Sequence, residues 1–309
     1  MQKYDVVVAG AGNGGLTAAA CLTKAGKKVL LLEKHNLPGG CATSFRRGRF
    51  EFESALHELC QMGEPGQGGH VRELLDELGL EVEWVPVDEA FRSINTDPSE
   101  GFDVTIPASE QGFLDAMEKA VPGCRASMEN LMELTRMIGD GVDWLYERDN
   151  DPPKLPMLLK WSDLMRCVSV PTEEMLVKLG VPKKAREIYE SYWDYVGVDS
   201  TKMSFAVYAQ MFRMYLNFKP YICKMRSHEI ALAFDRRIRE LGGEVWYNTE
   251  VAKIDVKGGA VRGVILKDGT KIACDRVVSN LMPTVVFSRM VDPAEVPERD
   301  RRACNARKL

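Results

Sequence analysis

The sequence predicts an α/β fold whose leading sheet is parallel and covered by helices. Three observations carry this. Val6-Val7-Val8-Ala9 is an apolar strand that runs directly into Gly10-Ala11-Gly12-Asn13-Gly14-Gly15. Small and apolar residues follow (Ala18, Ala19, Ala20, Leu22), as in a packed helix, and Gly26 stops it. Val29-Leu30-Leu31-Leu32 is then apolar at every position and ends in Glu33, the pattern of a parallel strand buried on both faces. Strand, glycine turn, helix, strand and acid make a Rossmann-like βαβ unit, which grips a dinucleotide. Gly10 permits the tight turn. Gly12 leaves bare backbone for a pyrophosphate, and Gly15 lets helix and strand approach. Asn13 and Gly14 open the helix, where free N–H groups and the helix dipole favour phosphate. Glu33 is placed to accept hydrogen bonds from a ribose.

Composition narrows the class. The chain has 309 residues, 45% hydrophobic and 28% charged, with a net charge of −4. It is long enough for two domains or for one with an insertion. No overall positive field attracts nucleic acid. Eight cysteines are scattered without a CxxC pair, which argues against a zinc site and a disulfide scaffold and favours a reducing cytoplasm. No metal site is expected. The first strand begins by Tyr4, so no signal peptide is expected ahead of it. No apolar run reaches the length of a membrane span.

After Glu33 the chain reads Lys34-His35-Asn36-Leu37-Pro38-Gly39-Gly40-Cys41-Ala42-Thr43-Ser44. Two readings stand at this point. Gly39-Gly40 offers bare backbone to the same ligand, with the Thr43 and Ser44 hydroxyls within reach of phosphate; or this is a surface turn before a basic hairpin. Phe45-Arg46-Arg47-Gly48-Arg49 supplies positive charge, and Phe50-Glu51-Phe52-Glu53 alternates like a short strand.

The glycine fingerprint, Glu33, Pro38–Ser44 and Gly48-Arg49-Phe50-Glu51-Phe52-Glu53-Ser54-Ala55-Leu56-His57 together resemble the N-terminal half of flavoproteins of the phytoene desaturase and carotenoid isomerase family. Retinol saturases and related amine oxidases share the arrangement. The resemblance implies FAD as the tightly held dinucleotide, in a Rossmann-like FAD-binding domain with an inserted α+β substrate-binding domain. On this footing the expected cofactor contacts are Gly10, Gly12, Asn13, Gly14, Gly15, Glu33, Lys34, Gly39, Gly40, Cys41, Ala42, Thr43 and Ser44, with the backbone at Val251 meeting the adenine. Ala55 and Glu53 depart from the family's glycine and aspartate. His57 is the candidate catalytic residue, with two readings: it orients substrate or moves a proton beside the flavin, or it packs beneath the cofactor or caps a turn. His35, His70 and His228 lie in polar surroundings and read as structural or exposed.

Further along, Gly63–Gly69 is a loop. Val71–Leu78 is a helix, from the spacing of Val71, Leu74, Leu75 and Leu78. Glu81–Pro86, Phe91–Ile94 and Phe102–Ile106 read as strands. Ser109 caps a helix to Ala120, and Cys124–Glu147 is a longer one that Asn150-Asp151-Pro152-Pro153 ends. Leu155–Val168 and Thr172–Leu179 are further helices. Glu187–Tyr221 is rich in aromatics and methionine. It reads as an ordinary helical core, as the lining of a tunnel for a lipid-like substrate, or as a segment dipping into one membrane leaflet. Ser227–Leu241 is a helix and Glu244–Tyr247 a strand. Glu250–Val256 and Ala260–Lys267 form a hairpin, Asp268-Gly269 turns into Thr270–Cys274, and Arg276–Ser279 is a last buried strand before Asn280. The domains expected are 1–80 (FAD), 81–220 (substrate) and 221–309 (return to the FAD domain).

Members of the resembling family are longer and carry a final glycine-rich flavin motif. The resemblance implies that a chain ending at Arg307-Lys308-Leu309 lacks it. The function implied is hydride exchange between flavin and carbon–carbon double bonds of an apolar polyene, by desaturation, saturation or isomerisation, with peripheral membrane contact. The alternatives are an FAD-dependent amine oxidase and a non-enzymatic isoprenoid-lipid carrier on the same scaffold.

Overall fold

Tyr4–Ala9 (β1) lies within a six-stranded sheet and is buried except at Asp5. The computed structural model describes residues 3–148 and 151–306. Asn150, expected to end a helix, and Arg307-Lys308-Leu309 lie outside them. Two compact units are present: Met1–His57 with Leu74–Val85 and Ile222–Leu309, and Glu58–Glu73 with Pro86–Tyr221.

In the first unit the sheet order is Val251–Lys257, Ala260–Leu266, Lys271–Ser279, β1, Val29–Leu32 (β2), Glu244–Trp246. The last four strands run parallel; the first two are antiparallel additions at one edge. All four β2 residues are buried. Leu30 and Leu32 pack in one cluster with Tyr4, Val7, Val264, Leu266 and Ile272, so residues of the antiparallel strands cover one face where helices were expected. The helix Asn13–Lys24 (α1) packs against β2 and against the helix His228–Glu240, which buries Ile230, Ala231, Phe234 and Ile238.

The expected separate strands Thr270–Cys274 and Arg276–Ser279 are one strand, Lys271–Ser279. Its first half pairs antiparallel with Ala260–Leu266, and its second pairs parallel with β1 from Cys274↔Tyr4 to Ser279↔Ala9. Asp275, between the two expected strands, sits at an exposed position in an ion pair with Lys3, at 2.6 Å.

In the second unit, Glu89–Asn95 and Phe102–Pro107 form an antiparallel hairpin beside a helical assembly. Ser109 accepts a hydrogen bond from the Gly112 N–H at 3.2 Å and caps the helix Glu110–Ala120 as expected. Arg125–Tyr146 follows. Much of the aromatic segment is core, while Trp193 and Tyr195 are exposed. Tyr189, Phe205, Tyr208 and Phe212 are fully buried. Phe212 lies 4.8 Å from Tyr189 and 5.0 Å from Phe113, ring centre to ring centre, and the Tyr208 hydroxyl donates to the Tyr189 carbonyl. These rings fill one another's space, so the helix Phe205–Asn217 does not have the outward apolar face of a membrane-dipping segment.

The expected helix Leu155–Val168 is two helices, Lys154–Lys160 and Ser162–Val168, divided at Trp161. Trp161 is buried against Trp144 and Gly141, where a Cβ would stand 3.0 Å from the indole. Burying that ring bends the chain and leaves Leu155, Leu158 and Leu159 outside, 65%, 62% and 75% exposed. No helix among the described residues is long and apolar enough to cross a membrane. All eight cysteines are unpaired.

Candidate functional site

The site starts where β1 gives way to α1. The Gly10 N–H donates to the Leu32 carbonyl at 2.8 Å, and the Asn280 N–H to the Ala9 carbonyl at 2.9 Å, so the turn is held from both neighbouring strands. Gly15 sits directly on it: a Cβ there would stand 2.0 Å from the Gly10 carbonyl oxygen. This is the close approach of helix to strand that the motif predicts. At the start of α1, Gly12 makes no side-chain cap and no acid occupies the first turn. The N–H groups there face outward without an anion of the protein's own, unlike the helix that Ser109 caps.

The second glycine pair comes to the same place. The Gly39 N–H donates to the Ala11 carbonyl at 2.7 Å, and Gly12 and Gly39 form a parallel bridge. A Cβ on Gly40 would lie 3.0 Å from the Gly12 Cα. The two backbones pass so closely that a side chain on Gly40 would crowd Gly12. The bland reading of Gly39-Gly40 as a surface turn is therefore set aside; the loop is part of the cradle.

Glu33 closes the cradle from the end of β2. It is buried; its Oε2 accepts from the Ala11 N–H at 2.7 Å and its Oε1 from the His35 N–H at 2.8 Å. An ionised carboxylate has about four lone-pair positions, so each oxygen keeps capacity for a ribose hydroxyl. Beside it an open cleft of about 640 Å³ is lined by Lys34, Trp246, Asn248, Glu250, Leu266 and Lys267 among others. Val251 follows Glu250 and pairs with Leu266. The cleft lies past the carboxyl ends of β2 and Glu244–Trp246, where open α/β sheets bind ligands.

The remaining expected residues divide. Gly40–Ala42, including Cys41, forms a short 3-10 turn. Thr43 spends its hydroxyl on the Pro38 carbonyl at 3.1 Å, closing its own loop. Asn13 and Gly14 lie exposed at the helix start, and Ser44 is half-buried. His57 is exposed; it is not a histidine packed in the interior.

Four residues beside the cradle were not expected there. The Asn280 side chain lies over the glycine turn, its amide nitrogen 2.5 Å from where a Gly12 Cβ would stand. Its place just after the closing strand was the available signal. Ser227 donates through its N–H (3.3 Å) and its hydroxyl to Glu53 Oε2. His228 Nδ1 is buried without a hydrogen-bond partner, 3.5 Å from where a Gly39 Cβ would be. Burial, aided by the Arg226 charge and opposed by Glu53, lowers the His228 pKa, so its ring is neutral at pH 7. Arg226 holds a φ of +119°, unfavourable for a residue with a side chain, and pairs with Glu51 at 3.0 Å. His228 is thus half-buried against the Gly39 loop, the structural rather than the exposed of the two readings its sequence context allowed.

The cradle fits an FAD-sized dinucleotide: bare crossing backbones, an uncapped helix start, an acid with spare lone pairs and a cleft beyond it. Comparison with known proteins agrees. The chain is 27% identical over 291 residues to all-trans-retinol 13,14-reductase of Rattus norvegicus, covering 90% of this chain and 47% of that protein. It is 22% identical to 4,4'-diapophytoene desaturase (4,4'-diapolycopene-forming) of Methylomonas sp, covering 93% and 55%. The chain spans about half the length of the curated relatives it matches. Its fold is similar to that of an oxidoreductase from Methanosarcina mazei, with a TM-score of 0.68 at 21% identity, over 98% of this chain and 64% of the other. The sequence pattern of the flavin containing amine oxidoreductases matches residues 14–308, and the chain belongs to that family.

Proposed function

We propose that the cradle binds FAD, and that the protein is an FAD-dependent oxidoreductase or isomerase acting on carbon–carbon double bonds of a polyene lipid. The observation that carries the first part is the crossing of Gly12 and Gly40 beside the uncapped start of α1. The substrate class rests on relatives named for retinol reduction and diapophytoene desaturation.

Bound FAD supplies the hydride acceptor or donor. The chain's own residues hold it. The N–H groups of Asn13, Gly14 and Gly15 and the α1 dipole meet the pyrophosphate. Glu33 accepts from the ribose. Lys34, Trp246 and the Val251 backbone line the adenosine end, with Gly39, Gly40, Cys41, Ala42, Thr43 and Ser44 forming the second wall. The second unit is assigned to the substrate. His57 remains the catalytic candidate of the first unit on its place in the resembling motif.

The first test is an FAD titration of wild type and Gly12→Val. A Gly12 Cβ meets the end of a flexible side chain, Asn280, so the variant folds while its methyl groups occupy the pyrophosphate path. Wild type is expected to retain flavin peaks in the visible spectrum after desalting. The variant is expected to bind at least about tenfold more weakly, one charged-group hydrogen bond being about 1.5–3 kcal/mol, with an unchanged melting temperature. A colourless wild type that ignores FAD would sink the reading and leave the lipid-carrier alternative.

The same reading includes a peripheral lipid contact at Lys154–Val168. Exposed Leu155, Leu158 and Leu159 lie between Lys154 and Lys160, and Met165 and Val168 extend the apolar surface. Basic residues around exposed leucines suit an anionic interface, each lysine adding about 1 kcal/mol near such a surface. The protein is expected to float with phosphatidylserine vesicles, less so in high salt, and to stay behind as the double variant Leu158→Glu, Leu159→Glu. Equal flotation of wild type and variant would refute the contact.

A further inference from the structure

The second unit contains a cavity of its own. Its volume is about 350 Å³, and Asp143, Tyr146, Gln210, Arg213, Met214 and Phe218 are among the residues that line it, all of them from that unit. This lies within the range of small-molecule pockets, roughly 300–1,000 Å³. Gln210, Arg213 and Met214 come from one helix, Phe205–Asn217, where positions three and four apart share a face. The Arg213 side chain is only 13% exposed, whereas Tyr146 is 56% exposed, so the polar group lies inside and the ring at the rim. Gln210 Oε1 and Arg213 Nε are buried without a hydrogen-bond partner. Arg213 spends Nη2 on Asp143 at 3.1 Å, with Asp140 at 3.8 Å. Its guanidinium lies across Gly139, where any Cβ would overlap it. A glycine inside the helix Arg125–Tyr146 weakens that helix, and here it makes the room that Arg213 occupies. Met214 is held by the Gln61 amide, which donates to its sulfur at 2.7 Å.

We propose that this cavity is a subsite for the terminal hydroxyl of a polyene alcohol: the hydroxyl oxygen accepts from Arg213, its O–H donates to Gln210, and the adjoining carbons lie against Met214, Tyr146 and Phe218. This rests on the polyene reading above and names the end group of that substrate. Buried polar groups are normally hydrogen-bonded to protein, water or ligand. Here one donor and one acceptor are unmet, three positions apart on one helix. A hydroxyl carries both a donor and an acceptor on a single atom. The terminal bond of a glutamine side chain turns easily, so Gln210 can bring its oxygen to the ligand.

Other end groups fit less well. A carboxylate would enter beside Asp143, with Glu73 and Glu147 also lining the cavity, and Arg213 is already paired. An ammonium has three donors and no acceptor, so it would leave Arg213 unmet and face its charge. A hydrocarbon end satisfies neither polar group. A site built to hydrogen-bond an OH rejects the analogue that lacks it far more strongly than an apolar pocket separates two chain lengths.

The test is equilibrium binding and needs no turnover. Tryptophan quenching gives the Kd of all-trans-retinol, its methyl ether, retinoic acid and the matching hydrocarbon that ends in a methyl group. Wild type is expected to bind retinol about tenfold or more tightly than the hydrocarbon. It should also prefer retinol to the ether, which keeps the oxygen and lacks the donated proton. Gln210→Leu is expected to erase the preference by weakening retinol while the hydrocarbon's affinity stays unchanged. The substitution replaces an unpaired amide by an apolar side chain, so the melting temperature is not expected to fall. Gln210→Met repeats the test with an unbranched side chain. The proposal is overturned by a preference that survives both variants, by an equal loss of retinol and hydrocarbon in both, or by retinoic acid binding more tightly than retinol. If polyenes bind wild type without the preference, the subsite fails and the polyene reading stands; if none of the four binds, both fail. The flavin spectrum reports separately. A protein that ignores FAD yet shows a preference erased in Gln210→Leu loses the flavin reading and keeps this subsite.

Discussion

Gly15→Val is expected to lose both bound flavin and a large share of the fold's stability. The added Cβ would meet the Gly10 carbonyl oxygen at 2.0 Å. That oxygen belongs to the backbone of the turn, which is tied to Leu32 through the Gly10 N–H and, one residue earlier, to Asn280 through the Ala9 carbonyl. It cannot turn away as a side chain does. Either α1 lifts from the sheet or the turn opens. Overpacking of this kind costs about 3 kcal/mol at the upper end of its usual range, which lowers the melting temperature by roughly 6–12 °C in a domain of this size class. Lifting α1 also moves its first N–H groups off the pyrophosphate path. The measurement is a thermal melt beside an FAD titration. Gly12→Val is the control, because it blocks the same path against a flexible neighbour. If Gly15→Val melts with wild type and stays yellow, helix and strand are not in the contact described.

Glu33→Ala is expected to have the second largest effect, and to act twice. The Ala11 N–H is fully buried and donates to Glu33 at 2.7 Å. Without the carboxylate it has no acceptor, at a cost of about 1–3 kcal/mol. The His35 N–H, donating to the other oxygen, lies in an exposed stretch where water replaces the lost bond. Removing hydrogen bonds from the ribose to a charged group weakens FAD by a further ~1.5–3 kcal/mol, roughly ten- to over a hundredfold in affinity. Melting temperature and FAD affinity should therefore both fall. A lower melting temperature with unchanged affinity would reduce Glu33 to a strut between the glycine turn and β2.

The parts of the site that were legible are those whose partners are close in sequence. Gly10, Gly12, Gly15 and Glu33 belong to one βαβ unit, and each role follows from the turn, the helix start or the strand end. The two readings of Gly39-Gly40 needed coordinates to separate. What decides between them is the bridge to Gly12 and the close pass of Gly40, and neither has a local signature. Glu53 and Ser227 are 174 positions apart. Neither residue type announces the other, so their contact beside His228 and Gly39 could not be read from spacing. The aromatic run Glu187–Tyr221 shows the opposite difficulty. Its composition fits a core, a tunnel and a membrane face, because all three are apolar; only the burial of Tyr189, Phe205, Tyr208 and Phe212 shows which part of it is core.

The dinucleotide-binding unit, the parallel strands β1 and β2, the flavoprotein resemblance and most helices could be read from the residues alone, because each depends on short-range periodicity, a cap or a glycine. The rest came from contacts between distant segments. They joined Lys271–Ser279 into one strand by giving each half a different partner. They broke Leu155–Val168 to bury Trp161, and so moved the exposed apolar surface to Leu155, Leu158 and Leu159. They also set Gln61 against Met214, 153 positions away. In each case the deciding energy is burial or pairing between segments far apart in the chain, and such energies leave no periodic trace in the segments themselves.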